Sequence, residues 1–272
     1  MRARKRNIMV LVAILGLAVI VSFSGCQFMD QLKARDLLNK GVADFTAKRY
    51  EEAAAKFQEA IELDPELKDA YLYLATTYRA EFVPFAQSPE NLQKGQQAID
   101  TFEKVLEMEP NNTNAIISIA GIHRDRNDPD EAKEWFHRLM EIPDTKADAL
   151  YNIASINYNL VDDATGKDGE NIENLTEEEL AETESLVNEA IESLKEALDV
   201  KPDHTDAMEY LNLFYREKAE LAEDEEEKDR WETEADKLAL QAVEVARQKK
   251  IEEERARRQI FEAEQGSEGE GE

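Results

Sequence analysis

One pattern recurs four times along this chain and governs what it can fold into. A small residue is followed four positions later by a bulky one, then by another apolar residue three further on, then by proline. The blocks are Ala53-Phe57-Ala60-Pro65, Ala98-Phe102-Val105-Pro110, Ala132-Phe136-Leu139-Pro143 and Ala190-Leu194-Ala197-Pro202. A fifth block, Ala235-Ala239-Ala242, lacks the proline. Steps of four and three put these side chains on one helical face, and the proline stops the helix. Such a unit buries its apolar face only against its neighbours, so the pattern predicts an all-α solenoid of helix pairs.

Residues 34–67 carry Leu37, Gly41, Phe45, Tyr50, Ala53, Phe57, Ala60 and Pro65, with "YEEAAAKFQEAIELDP" as the second helix. This stretch resembles a tetratricopeptide repeat. The resemblance extends over residues 34–246 and implies a right-handed superhelical solenoid of about five helix pairs that binds other proteins. Small residues at Gly41, Ala53 and Ala60 let paired helices approach closely, with Leu37 and Phe57 between them. Equivalent first-helix positions are Ala75, Ala120 and Ala154, while Asn212 departs from the pattern.

The second-helix alanines at 53, 98, 132, 190 and 235 are spaced by 45, 34, 58 and 45 residues. Measured from the small residue of each first helix, all the extra sequence falls inside repeats two, four and five, in the turn between paired helices. In repeat two, "EFVPFAQSPEN" offers Phe82, Val83 and Phe85, which either tuck back onto their own helix pair or form an apolar binding tip. Ser88-Pro89 reads as a helix cap and first helical residue. In repeat four, "DDATGKDGEN" reads as a loop, and Thr176 with Glu179 as a capping box. Acid-rich runs at 168–184 and 220–236 read as solvated faces.

The N-terminus is distinct. Arg2, Arg4, Lys5 and Arg6 precede the uncharged stretch Ile8–Phe23, and Ser24-Gly25-Cys26 follows at once. These residues resemble a bacterial lipoprotein signal, implying that residues 1–25 are removed and that Cys26 is lipidated. The chain is then expected in the cell envelope, anchored to the membrane and facing the periplasm. Gln27 after the cysteine implies the outer membrane. Cys26 is the only cysteine, which excludes an internal disulfide. Residues 26–33 read as a tether, 34–246 as the solenoid, 247–264 as a charged capping helix and 265–272 as a disordered acidic tail.

The whole chain carries a formal charge of −28, from 61 Asp and Glu against 33 Lys and Arg. Such a surface repels nucleic acid, which is not expected as a partner. Enzyme signatures fail on spacing. His123-Arg124-Asp125 spells a kinase catalytic triplet, yet Asp130 stands where asparagine is needed and no glycine-rich loop accompanies it. Gly166-Lys167 lacks the rest of a phosphate loop, and "DDATGKDGEN" lacks the spacing of a calcium loop. His137 and His204 sit in separate repeats, so no metal or cofactor is expected.

The expected function is a protein-interaction scaffold. The alternative is an assembly factor for outer-membrane proteins or pili. By register with the resembled family, partner-facing positions are Leu38, Val42 and Phe45, then Leu72, Thr76 and Arg79, then Ile117, Gly121 and Arg124. Tyr151, Ser155 and Tyr158 follow, then Glu209, Leu213 and Arg216. Leu38 and Val42 stand where some relatives clamp a chaperone's terminal carboxylate, so that partner is not expected. Arg79, Arg124 and Arg216 recur at one repeat position and suit an acidic segment, unless they serve neighbours such as Asp125.

Overall fold

A computed structural model of the chain describes residues 27–166 and 169–269, so residues 1–26, with the expected signal and Cys26, lie outside the described residues. The described residues form helices joined by turns. In order these are α1 (27–46), α2 (Tyr50–Leu63), α3 (Lys68–Glu81), α4 (Pro89–Met108), α5 (Thr113–Asp125), α6 (Pro129–Met140), α7 (Lys146–Thr165), α8 (Glu177–Val200), α9 (Thr205–Glu220) and α10 (Glu225–Gly269). A short 3-10 turn, Ile172–Asn174, precedes α8. The fold is all-α, as expected. The chain divides into two compact units, Met1–Ala132 and Lys133–Glu272, with the division inside α6.

The repeated block is the core of both units. Ala53, Ala98, Ala132, Ala190 and Ala235 are all fully buried, as are Ala75, Ala120 and Ala154 on the first helices. At Gly41 the second helix presses directly on the first: a Cβ there would lie 2.5 Å from the Phe57 ring. Glycine weakens a helix interior by about 1 kcal/mol relative to alanine, and here that cost admits a fully buried aromatic. Proline truncates the second helices as expected. The N–H groups of Asp64, Glu109 and Lys201, each one residue before a proline, close the last turns onto Ala60, Val105 and Ala197 carbonyls.

Within the first unit α2 packs on α3, α3 on α4 and α4 on α5, and α3 also meets α5. Turns without inserted sequence are built alike. Lys48 and Asn127 both adopt left-handed backbone after α1 and α5. Behind them the N–H of Arg49 reaches Asp44 O at 2.9 Å and that of Asp128 reaches His123 O at 2.9 Å. These are the six-to-one bonds that close a helix C-terminus through a left-handed residue. Asp44 is further held by the side chains of Arg49 and Lys56.

Within the second unit α7 packs on α8, α8 on α9, α9 on α10, and α7 also meets α9. Thr176 and Glu179 form the expected capping box at the start of α8. Gly166 ends α7 at φ 73°, a conformation that suits glycine. Much of the inserted sequence lengthens helices: α4 has 20 residues and α8 has 24, against 14 in α2. Residues 27–33, read from sequence as a tether, already belong to α1. At the other end α10 continues to Gly269, past the residue 264 at which the sequence ends the capping helix.

Candidate protein-binding faces

In the first unit the neighbouring first helices α3 and α5 bring two of the expected sets together. Leu72, Thr76 and Arg79 line one face of α3, and Ile117, Gly121 and Arg124 line one face of α5, each at steps of four and three. Arg79 Nη2 donates to Asp125 Oδ2 at 2.6 Å, while Arg124 donates through Nε and Nη2 to Oδ1 at 3.3 and 3.2 Å. Asp125 is buried, and the two guanidinium side chains are 28% and 36% exposed. Two cations therefore share one carboxylate, which leaves a net positive charge at the surface. Gly121 adds no side chain there, its missing Cβ lying 3.8 Å from Arg79 Nη2. Ile117 is 44% exposed and Leu72 and Thr76 are half-buried.

The kinase-like triplet thus has a structural explanation, because Asp125 anchors two arginines at the C-terminus of α5. Of the α1 positions, Val42 and Phe45 are half-buried, with Phe45 5.6 Å from the Tyr50 ring. Leu38 is drawn toward the interior, where it packs on the Ala34, Ala60 and Ala70 cluster.

The apolar tip divides. Phe82 is only 4% exposed, folded over Gly95 of α4, whose Cβ would come within 3.1 Å of its ring. Arg79 also lies 5.6 Å above that ring. Phe82 is therefore core and not part of a tip, which corrects the outward reading, whereas Val83 and Phe85 are 58% and 65% exposed. Asn91 clamps the loop: its Oδ1 accepts from Val83 N–H at 2.7 Å, and its Nδ2 donates to the carbonyls of Val83 and Ala86 at 2.9 and 2.8 Å. The Phe85 N–H donates to the Asp125 carbonyl at 2.8 Å and so satisfies the end of α5.

In the second unit, Tyr151 and Tyr158 of α7 are committed to ring packing. Tyr210 of α9 meets both, with centroids 5.2 and 5.6 Å away and edges turned to faces. Tyr158 also packs on Phe214, Tyr151 on His204, and Ser155 Oγ lies 3.4 Å from Tyr210 Oη. Arg216 is taken up by Asp236 of α10 at 3.0 Å and Asn212 Oδ1 at 3.3 Å. Leu213 is half-buried and lines, with Met208, Ala239, Ala242, Val243 and Ala246, a shallow apolar groove of about 420 Å³. The three arginines therefore do not form one equivalent series. Arg79 and Arg124 cluster, and Arg216 is a local tie between α9 and α10.

Sequence reasoning missed Tyr210, which fills the contact between α7 and α9. It also missed Gly95, whose signal was available: a glycine inside a helix is costly unless something must approach it. Asn212 departs from the small-residue pattern and compensates by donating to the Ala235 carbonyl across the α9–α10 contact.

Family models described as tetratricopeptide repeat match residues 34–67 and 92–152. Those two stretches match the tetratricopeptide repeat. Among solved structures it is similar to the MamA protein, at 16% identity and a TM-score of 0.53, covering 80% of this chain and 94% of that one. It is also similar to residues 41 to the end of MamA from Desulfovibrio magneticus RS-1, at 16% identity and 0.51, covering 79% and 96%. These likenesses are of fold. No curated protein matches the chain.

Proposed function

We propose that this chain is a lipid-anchored envelope protein that holds an acidic or carboxylate-ended segment of a partner protein along α3 and α5. The repeats support an interaction scaffold. The observation that carries the finer reading is the pair Arg79 and Arg124 sharing one buried Asp125, beside Leu72, Thr76 and Ile117. Guanidinium groups already fixed by one carboxylate are oriented before a second arrives, and their planar forks suit bidentate recognition. Anchoring through Cys26, at the outer membrane and facing the periplasm, rests on the N-terminal sequence alone.

The test is affinity capture from solubilised envelopes with two variants. One carries Ile117→Glu and Arg124→Glu; the other carries Val83→Ser and Phe85→Ser. Arg79 is left alone so that the buried Asp125 keeps one of its two cations. The proposal expects a discrete partner that is lost with the first variant and weakened by salt. Loss with the second variant alone moves recognition to the loop tip, and loss with neither removes both surfaces from consideration.

A further inference from the structure

Among the described residues, α10 packs along one side, against α9. Ala235 and Leu238 pack into the core of the second unit, Trp231 lies tilted against Tyr215 with ring centroids 5.4 Å apart, and Lys249 reaches Asp203 at 2.8 Å. Round the helix from these residues, with Asp236 at its edge pairing with Arg216 and Val243 at the rim of the α9–α10 groove, runs a continuous exposed seam: Asp229, Glu232, Asp236, Leu240, Val243, Arg247, Lys250, Glu254 and Arg258. Its steps of three and four keep it on one face. The centre is apolar, with Leu240 74% and Val243 68% exposed. The flanks are oppositely charged. Residues 225–236 hold seven acids and two bases, whereas 247–258 hold six bases and three acids. Complementing the helix dipole does not account for this, because that effect fades beyond the first and last turns and Asp236 and Arg247 lie far inside.

We infer that this seam is a self-association surface, on which α10 of a second copy lies antiparallel about a two-fold axis between residues 241 and 242. In that register Leu240 faces Val243 of the other copy, Asp236 faces Arg247, and Glu225 faces Arg258. Glu232 comes beside Lys250, and only Asp229 with Glu254 sets like charges together. A parallel pair would place every charge of the seam against itself. The charge pattern therefore selects both the occupant and its direction, as complementary flanks do in coiled coils. A two-fold contact is closed, so it yields dimers rather than fibres. With two apolar residues per copy the dimer is weak and sensitive to salt.

The test uses the full chain in neutral, density-matched detergent, followed by sedimentation velocity. The native chain should show a monomer–dimer equilibrium that shifts at least about tenfold toward monomer between about 0.05 and 0.5 M salt. Arg247→Glu with Lys250→Glu should abolish the dimer, as should Glu232→Lys with Asp236→Lys. Mixing those two variants should restore a heterodimer, since each supplies the flank the other lacks. The Asp236 change also removes its exposed pair with Arg216, a small effect that circular dichroism would register. With Cys26→Ser in both chains, Leu240→Cys should couple oxidatively to Val243→Cys faster than either couples to itself. A native chain that stays monomeric, a dimer indifferent to the charge reversals, or no heterodimer on mixing overturns the inference. So does preferential self-coupling of the cysteines, or a monomer whose Arg247 and Lys250 instead bind anionic vesicles.

Discussion

His204 makes the start of α9 conditional on acidity. It caps the helix through Nδ1, which accepts the Ala207 N–H at 3.3 Å, so its proton belongs on Nε2. Nε2 lies 3.2 Å from Asp148 Oδ1 without meeting it in hydrogen-bonding geometry. Burial, and next the charge of Lys201, push the imidazole below its ordinary value, while Asp148 and Asp206 pull the other way. The folded chain thus prefers the neutral ring and the unfolded chain takes up the proton first, so stability from this group rises with pH. It is complete above the ordinary histidine value of about 6.5 and is lost as pH falls from there through the lower value of the folded chain. His204→Asn keeps a strong cap that cannot titrate. Melting temperatures followed from about pH 7.5 to 5.5 should fall more steeply for the native chain than for the variant. Parallel pH profiles would show that His204 does not couple protonation to folding.

Among elements, the contact between α7 and α8 is the sharpest test of the repeat register. Ala190 has no exposed surface and sits in a cluster with Leu150, Ala154 and Leu194. Ala190→Leu should overpack that contact, at a cost of about 1–3 kcal/mol seen in thermal unfolding. An unchanged melting temperature would mean that the helices do not meet there. This layer of the structure was legible in sequence because periodicity and packing are the same constraint in a solenoid. Ala53, Phe57 and Ala60 recur as Ala98, Phe102 and Val105 for a reason that every unit shares. The capping box at Thr176 was legible for the same kind of reason, being chemistry confined to four residues. The faces were harder to read. Register placed Arg79, Arg124 and Arg216 at one position, yet what each meets depends on other helices: Asp125 on α5 serves two of them, and Asp236 on α10 serves the third. Phe82 and Phe85 are three residues apart with the same side chain, and it is the contacts made by the loop, with Gly95 beneath Phe82 and Arg79 above it, that cover one and not the other.

For the molecule as a whole, the proposed anchor can be checked without knowing any partner. Replacing Cys26, the sole thiol, by serine should abolish labelling by palmitate and move the chain out of the mature membrane-bound pool. Stable attachment needs more than one acyl chain, so release rather than partial binding is expected once lipidation stops. Unchanged mass and fractionation would defeat the anchor. The loop between α3 and α4 carries a different consequence. Its Phe85 N–H completes the end of α5, and the same Asp125 whose carbonyl it meets receives Arg79 from α3. Repeats two and three are thus not interchangeable cassettes. A recombination event that duplicated or removed one of them would strand a helix end and take one of its two cations from a buried carboxylate, so the two are expected to pass through evolution as a single heritable block.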